Sequence, residues 1–170
     1  MQIQSLRQPH NATLKSIPEG KEGILSTLLL MKQLAKDFRK NLVIRSIAVA
    51  LCDKYPQKDY VSEIRALQAY VRDKIRYIKD VRDVETIQTP LVTLDIKSGD
   101  CDDKCTLLAS LLESIGHPTR YVAIGFQPDT FEHVLVETRI GNKWIPLECT
   151  EPVQIGWQPL NIQARMVVHV

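Results

Sequence analysis

The spacing of apolar side chains divides the chain into a helical first part and a strand-rich last part. From about Lys21 to Leu51, apolar residues recur at steps of three and four, which predicts one helix or two with an interruption at Asn41. Another amphipathic helix is predicted after Asp59 or Ser62, both of which are candidate N-caps. Its apolar face consists of Val61, Ile64, Leu67, Val71 and Ile75.

Two segments lack a regular pattern. Residues 1–20, with prolines at positions 9 and 18, predict an irregular or weakly stranded arm. Residues 79–98, with Pro90 inside them, predict a loop. Because this segment has few small turn residues, we expect it to be ordered against the core.

A helix is predicted from about Asp100 to Ile115, with Gly116 and Pro118 as its end signals. Beyond it, alternating polarity predicts strands at residues 121–126, 133–138, 144–148 and, in the tail, 165–170. Helices followed by an antiparallel sheet indicate an α+β fold. We expect one compact domain, with residues 1–55 as an arm and helical segment packed on a core of residues 56–170.

Composition excludes several classes of function. The net charge of +2, with 44% apolar and 25% charged residues, gives no reason to expect a nucleic-acid or membrane partner. No apolar stretch is long enough to span a membrane, and the N-terminus lacks the apolar core of a signal peptide. Four cysteines in a chain of 170 residues do not suggest a disulfide framework. These features predict a cytoplasmic protein.

Cys101 falls in the first turn of the predicted helix, where free N–H groups and the helix dipole favour a thiolate. The neighbouring Asp100, Asp102 and Asp103 would raise the thiol pKa if they faced the sulfur. Successive helical residues point about 100° apart, so capping is the expected role of these aspartates. Cys105, one turn further on, is expected to be a buried apolar residue.

His133 opens one predicted strand and Glu148 ends the next, so adjacent antiparallel strands can bring the two side chains together. Cysteine, histidine and a carboxylate are the set that thiol acyl transfer needs. The Cys101 N–H can donate to an oxyanion. A second donor is expected from the preceding segment, where the candidates are Tyr77, Gln88 and Thr89.

The segments around these residues resemble the transglutaminase-like superfamily over roughly residues 60–150. Its nucleophile helix opens with Gly-x-Cys, as residues 99–101 do, and ends in a turn similar to residues 116–120. Residues 133–137 match its histidine strand, and residues 144–148 match its acidic strand. Residues 75–78 and 88–94 resemble the bacterial and bacteriophage branch of the family.

The resemblance implies a papain-like α+β core with extra N-terminal helices, in which Cys101 is the nucleophile, His133 the base and Glu148 the orienting acid. The family usually has aspartate in place of Glu148, and an aromatic residue in place of Leu135. It also implies that a phage or prophage could encode the chain, with a virion setting and an assembly partner as alternatives to the cytoplasm.

Three functions remain open from the sequence. The first is a cysteine peptidase or amidase acting on a protein or peptide substrate, with hydrolysis favoured over transfer to an amine because a small domain excludes water poorly. The second is a non-catalytic assembly protein on the same fold. The third is a metal site, disfavoured because Cys149 should face away from Glu148. Its ligands would be Cys101, Cys105, His133 and Cys149. We expect no cofactor.

Overall fold

The apolar run after Cys101 forms a central helix, α5 (Cys101–Ser114), around which the other elements pack. The computed structural model describes residues 20–79 and 86–170. Every residue from position 102 to 112 is buried, so α5 is enclosed on all sides. Within the described residues, α5 contacts the four other helices and the strands of the main sheet that lie under it.

The two N-terminal helices, α1 (Gly20–Phe38) and α2 (Leu42–Cys52), belong to the same hydrophobic core as α5. Asn41 separates them and caps α2 by accepting the N–H groups of Val43 and Ile44, which confirms the predicted interruption. Residues 1–19 of the predicted arm lie outside the described residues. The division of the chain at residue 55 stays a prediction.

Helix α3 (Tyr60–Lys74) starts at the Asp59 cap and leads into a short strand, β1 (Arg76–Tyr77). The prediction of a loop over residues 79–98 is wrong in part, because it contains α4 (Pro90–Ile96) and β2 (Ser98–Gly99). Proline is well suited to the first position of a helix, and a helix of seven residues is too short to show a clear period. Residues 80–85 lie outside the described residues.

The last part of the chain forms a four-stranded antiparallel sheet with strand order β5-β4-β3-β6. Its strands are β3 (Thr119–Gly125), β4 (His133–Ile140), β5 (Lys143–Leu147) and β6 (Ala164–His169). One face packs on α5, and Gly116 makes the turn into β3 with a φ of +96°. The structure confirms the α+β class. None of the helices in the described ranges has the length and hydropathy needed to cross a membrane.

Candidate active site

Cys101 is the first residue of α5, and a capping box fixes the backbone around it. The Asp100 side chain accepts the N–H groups of Asp102 at 3.0 Å and Asp103 at 3.1 Å. In return, Asp103 Oδ2 accepts the N–H of Asp100 at 3.3 Å. The first N–H of a helix has no acceptor within the helix, so that of Cys101 can donate to a charged oxygen beside the sulfur.

The glycine of the Gly-x-Cys sequence leaves room for this capping box. A Cβ on Gly99 would lie 2.6 Å from Asp103 Cβ and 2.8 Å from Asp103 Oδ2. The other oxygen of the same carboxylate accepts the N–H of Gln88 at 2.7 Å, which ties the preceding segment to the start of α5. Any side chain at position 99 would therefore displace the group that holds the backbone at Cys101.

His133 and Glu148 meet at one end of the sheet. His133 opens β4, Glu148 directly follows β5, and His133 Nε2 lies 2.6 Å from Glu148 Oε2. The register pairs Val136 with Leu147, so one further step puts Glu148 opposite Leu135 and diagonal to His133. The Glu148 side chain is 1% exposed and that of His133 is 19% exposed. A buried carboxylate thus holds a histidine that solvent still reaches.

The sequence did not single out two residues that hold Glu148 in place. Thr150 donates its N–H at 2.6 Å and its hydroxyl at 2.7 Å to Glu148 Oε1. Gln68, on α3, donates from Nε2 to the main-chain oxygens of Glu148 at 2.5 Å and Val153 at 3.1 Å. Gln68 is 1% exposed, and a polar residue within the apolar stripe of a helix is the feature that could have indicated its role.

The Glu148 carboxyl group is held in its ionised form. Burial alone raises its pKa, but the hydrogen bond and charge of His133 and the two bonds from Thr150 outweigh burial. The pKa is lowered from 4.5 to about 2 as a result. Glu148 is therefore a carboxylate at neutral pH and can stabilise a positive charge on His133.

We expect the Glu148 carboxylate to give the protein acid-sensitive stability. A carboxyl group whose pKa falls on folding stabilises the native state above its unfolded pKa, and this contribution disappears as the pH falls through the folded value. A fall from 4.5 to about 2 implies a loss of roughly 3 kcal/mol between about pH 5 and pH 2. Urea unfolding of the wild type and Glu148→Gln should show their stability difference shrinking over this window. A difference independent of pH would contradict the assignment.

Cys101 and His133 line the same cavity, which has a volume of about 180 Å³. The main chain of Val134, the residue after His133, partly offsets the effects that raise the pKa of Cys101. Helix α1 forms part of the cavity wall, so the N-terminal segment contributes to the cleft. The apolar lining residues are Ile24 and Leu28 from α1, Ala123 from β3, and Phe131 and Val134 from the chain around His133.

The surroundings of Cys101 keep its thiol protonated. Burial raises the pKa of Cys101 above that of an ordinary cysteine, and the carboxylates of Asp102 and Asp100 raise it further. The thiol donates to Asp102 Oδ1 at 3.5 Å, so Asp102 faces the sulfur, whereas Asp100 and Asp103 have the expected capping role. The expectation that all three aspartates cap the helix instead of facing the sulfur is therefore wrong for Asp102. Any reaction of Cys101 at neutral pH needs a base to remove the proton.

Cys105 and Cys149 contact each other instead of joining Cys101 and His133 in a metal site. Their sulfurs are 3.9 Å apart, and both residues are buried. Burial is the largest of the effects that raise the pKa of Cys105, as expected of a core cysteine. Within residues 20–79 and 86–170, no group of three or more histidine, cysteine, aspartate or glutamate residues is arranged to hold a metal ion.

A second histidine–carboxylate pair lies at the opposite end of α5. His117 Nε2 is 2.8 Å from Glu63 Oε2, and His117 is 6% exposed. Cys101 begins α5 and His117 follows its end, so the 14 residues of the helix, about 20 Å, separate them. This pair consists of the same residue types as His133–Glu148 but is far from the Cys101 thiol.

Comparison with known families gives one match over this region. A model described as the transglutaminase-like superfamily matches residues 49–149, which is more than half of the chain and includes Cys101, His133 and Glu148. None of the curated proteins compared with the chain matches it.

Solved structures from other organisms share the fold. The "putative cysteine protease" of Cytophaga hutchinsonii is 18% identical, with a TM-score of 0.53, over 74% of this chain and 45% of its own. The "putative protease" of Parabacteroides distasonis is 14% identical, with a TM-score of 0.63, over 95% of this chain and 34% of its own. The chain thus spans less than half of either structure. At these identities the likeness concerns the fold, and the bacteriophage branch stays a prediction.

Proposed function

Because the chain belongs to the transglutaminase-like superfamily, we propose that it is a thiol-dependent acyl-transfer enzyme, a cysteine peptidase or amidase. In this proposal Cys101 is the nucleophile, His133 the base and Glu148 the residue that orients His133. The substrate is a peptide or carboxamide bond of a protein or peptide. The observation that carries the proposal is the 2.6 Å bond between His133 and Glu148 beside the cavity that Cys101 lines.

Glu148 decides which nitrogen of His133 acts as the base. Its ionised carboxylate accepts a hydrogen bond from Nε2, so Nε2 carries the proton and Nδ1 has the free electron pair. As a substrate carbonyl reaches the sulfur, the thiol proton moves to Nδ1 and the sulfur electron pair forms the bond to carbon. Glu148 stabilises the imidazolium that results. The raised pKa of Cys101 makes this proton transfer necessary.

The remaining steps also pass protons through His133. The carbon–nitrogen bond breaks, His133 gives its proton to the departing amine, and a thioester remains on Cys101. Water then attacks the thioester while His133 accepts a proton from it. That proton returns to the sulfur as the carbon–sulfur bond breaks, which releases a carboxylic acid and restores the thiol. An amine in place of water would give transfer, and we favour hydrolysis because a small domain excludes water poorly.

Acylation of the native protein by p-nitrophenyl acetate tests the proposal. We expect a stoichiometric burst of p-nitrophenolate and an acetyl group on residues 98–104, a tryptic peptide in which Cys101 is the sole cysteine. Peptides that contain Cys52, Cys105 or Cys149 should stay unmodified. Added methylamine separates the outcomes, since a hydrolase releases acetate and a transferase forms N-methylacetamide.

Failure of acetylation at Cys101 would overturn the enzyme proposal. A burst from another residue, or no burst in a protein that melts cooperatively, would both count as failure. Either result would favour the non-catalytic assembly protein on the same fold.

A further inference from the structure

The proposed reaction places a negative charge on the substrate carbonyl oxygen when the sulfur attacks. Enzymes of this kind stabilise that charge with donors that are already in position. The N–H of Cys101 is one such donor, because the first N–H of a helix has no helical acceptor. A second donor must come from a group near the sulfur. The sequence left Tyr77, Gln88 and Thr89 open.

Gln88 and Thr89 are held at the start of α4, and the main-chain N–H of Gln88 already has an acceptor. The N–H of Gln88 donates to Asp103 Oδ1 at 2.7 Å, and Gln88 Oε1 accepts the hydroxyl of Thr93 at 3.3 Å. The amide of Gln88 is therefore turned toward α4. Thr89 precedes the first residue of α4, and its main-chain oxygen accepts the N–H of Thr93 at 3.1 Å.

The backbone fixes Tyr77 beside the segment that leads into Cys101. Strands β1 and β2 are parallel, and Tyr77 lies opposite Gly99, two residues before Cys101. Hydrogen bonds on both sides of Tyr77 hold this register, from Arg76 N to Lys97 O at 2.9 Å and from Ile78 N to Gly99 O at 3.0 Å. The position of the Tyr77 main chain relative to Cys101 is thus set by secondary structure and not by a free loop.

The Tyr77 side chain lies where a substrate can reach it and where the charges of the site act on it. Tyr77 is 42% exposed although it pairs with a buried glycine. Burial is the largest effect that raises the pKa of its hydroxyl. The charges of Cys101, Asp100, Asp102 and Glu148 raise this pKa further. Cys101 is the proposed nucleophile and the other three are carboxylates of the same site, so the hydroxyl lies within the electrostatic range of the site. A raised pKa also keeps the hydroxyl protonated, as a donor must be.

We propose that the Tyr77 hydroxyl is the second oxyanion donor of the acylation step, acting together with the N–H of Cys101. This inference rests on the proposed function. When the sulfur attacks, the carbonyl electron pair moves onto oxygen, and the two donors bind that oxygen without giving up their protons. The pair returns to re-form the carbonyl as the leaving group departs. Tyr77 is not part of the wall of the 180 Å³ cavity that Cys101 and His133 line.

Replacement of Tyr77 by phenylalanine tests this role because it removes the hydroxyl and keeps the ring. Loss of one oxyanion donor lowers acylation by roughly 10²-fold, so we expect that decrease for p-nitrophenyl acetate. Alkylation of Cys101 by iodoacetamide occurs at a saturated carbon and forms no oxyanion. Its rate and pH profile should therefore stay unchanged in Tyr77→Phe.

Tyr60→Phe is the matched control. Tyr60 is 50% exposed, against 42% for Tyr77, and it lies at the far end of α3 from β1. The control should acylate and alkylate at the wild-type rates.

The outcomes separate this inference from the proposed function. If the wild type acylates and Tyr77→Phe acylates as fast as Tyr60→Phe, the Tyr77 role is wrong and the proposed function stands. If acylation and alkylation fall together in Tyr77→Phe, the residue supports the structure and is not an oxyanion donor. If the wild type itself is not acylated at Cys101, both the function and this inference fail.

Discussion

Replacing Cys101 with serine should lower the acylation rate by more than about 10³-fold. A hydroxyl is a far weaker nucleophile than a thiol, and burial together with Asp102 and Asp100 already opposes loss of the proton at this position. Serine can still donate to Asp102 in place of the thiol, whose bond is 3.5 Å long. The melting temperature should therefore change little while the burst with p-nitrophenyl acetate disappears.

Cys105→Ala is the comparison that shows whether the effect belongs to one sulfur. Cys105 lies one turn later on α5 and is fully buried against Cys149. Its replacement should destabilise the protein by about 1 kcal/mol through the small cavity it leaves, with the acylation rate unchanged. A Cys101→Ser protein that keeps the burst, or a Cys105→Ala protein that loses it, would contradict the assignment of the nucleophile.

Replacing Gly125 with alanine should disrupt both the fold and the site. Gly125 ends β3, and a Cβ there would lie 1.7 Å from the main-chain oxygen of Thr130 and 3.3 Å from Phe131 Cα. That segment is main chain, so it cannot move aside as a side chain can. We expect a loss of about 3 kcal/mol, or roughly 6–12 °C in melting temperature. Because the displaced segment leads directly into His133, acylation should fall as well.

Gly116→Ala is the control for the general effect of removing a glycine. No atom lies within 4 Å of a Cβ at Gly116, but its φ is +96°, so alanine there is strained without a clash. The expected loss is about 1 kcal/mol, with acylation retained. Thermal unfolding of the two variants side by side measures the difference. Equal melting temperatures would show that a Cβ at position 125 does not clash with the main chain of Thr130.

Local patterns were sufficient to predict the elements that carry the site. The capping residue Asp100, the long apolar run of α5 and the turn at Gly116 are all encoded within a few neighbouring residues. The pairing of β4 with β5 follows from alternating polarity and a short turn, and that pairing brings His133 to Glu148. The sequence could therefore predict this contact from spacing alone.

Features that depend on the surroundings in three dimensions could not be predicted. Helix α4 has seven residues, which are too few to show a period, and its Pro90 is as typical of a loop as of the start of a helix. The raised pKa of Cys101 follows from burial and from Asp102 facing the sulfur, and the sequence alone does not fix which way the Asp102 side chain points. Gln68 supports Glu148 across a separation of 80 residues, which no local pattern encodes.

The acylation rate of Glu148→Gln, compared with Glu63→Gln, tests most directly the claim that Cys101, His133 and Glu148 act as one unit. Each substitution removes the negative charge of one histidine–carboxylate pair. The nitrogen–oxygen distance is 2.6 Å in the His133–Glu148 pair at the proposed site and 2.8 Å in the His117–Glu63 pair at the far end of α5. We expect Glu148→Gln to acylate roughly 10²–10⁴-fold more slowly than the wild type, and Glu63→Gln to acylate at the wild-type rate. Wild-type acylation in Glu148→Gln, or an equal decrease in both variants, would contradict the claim.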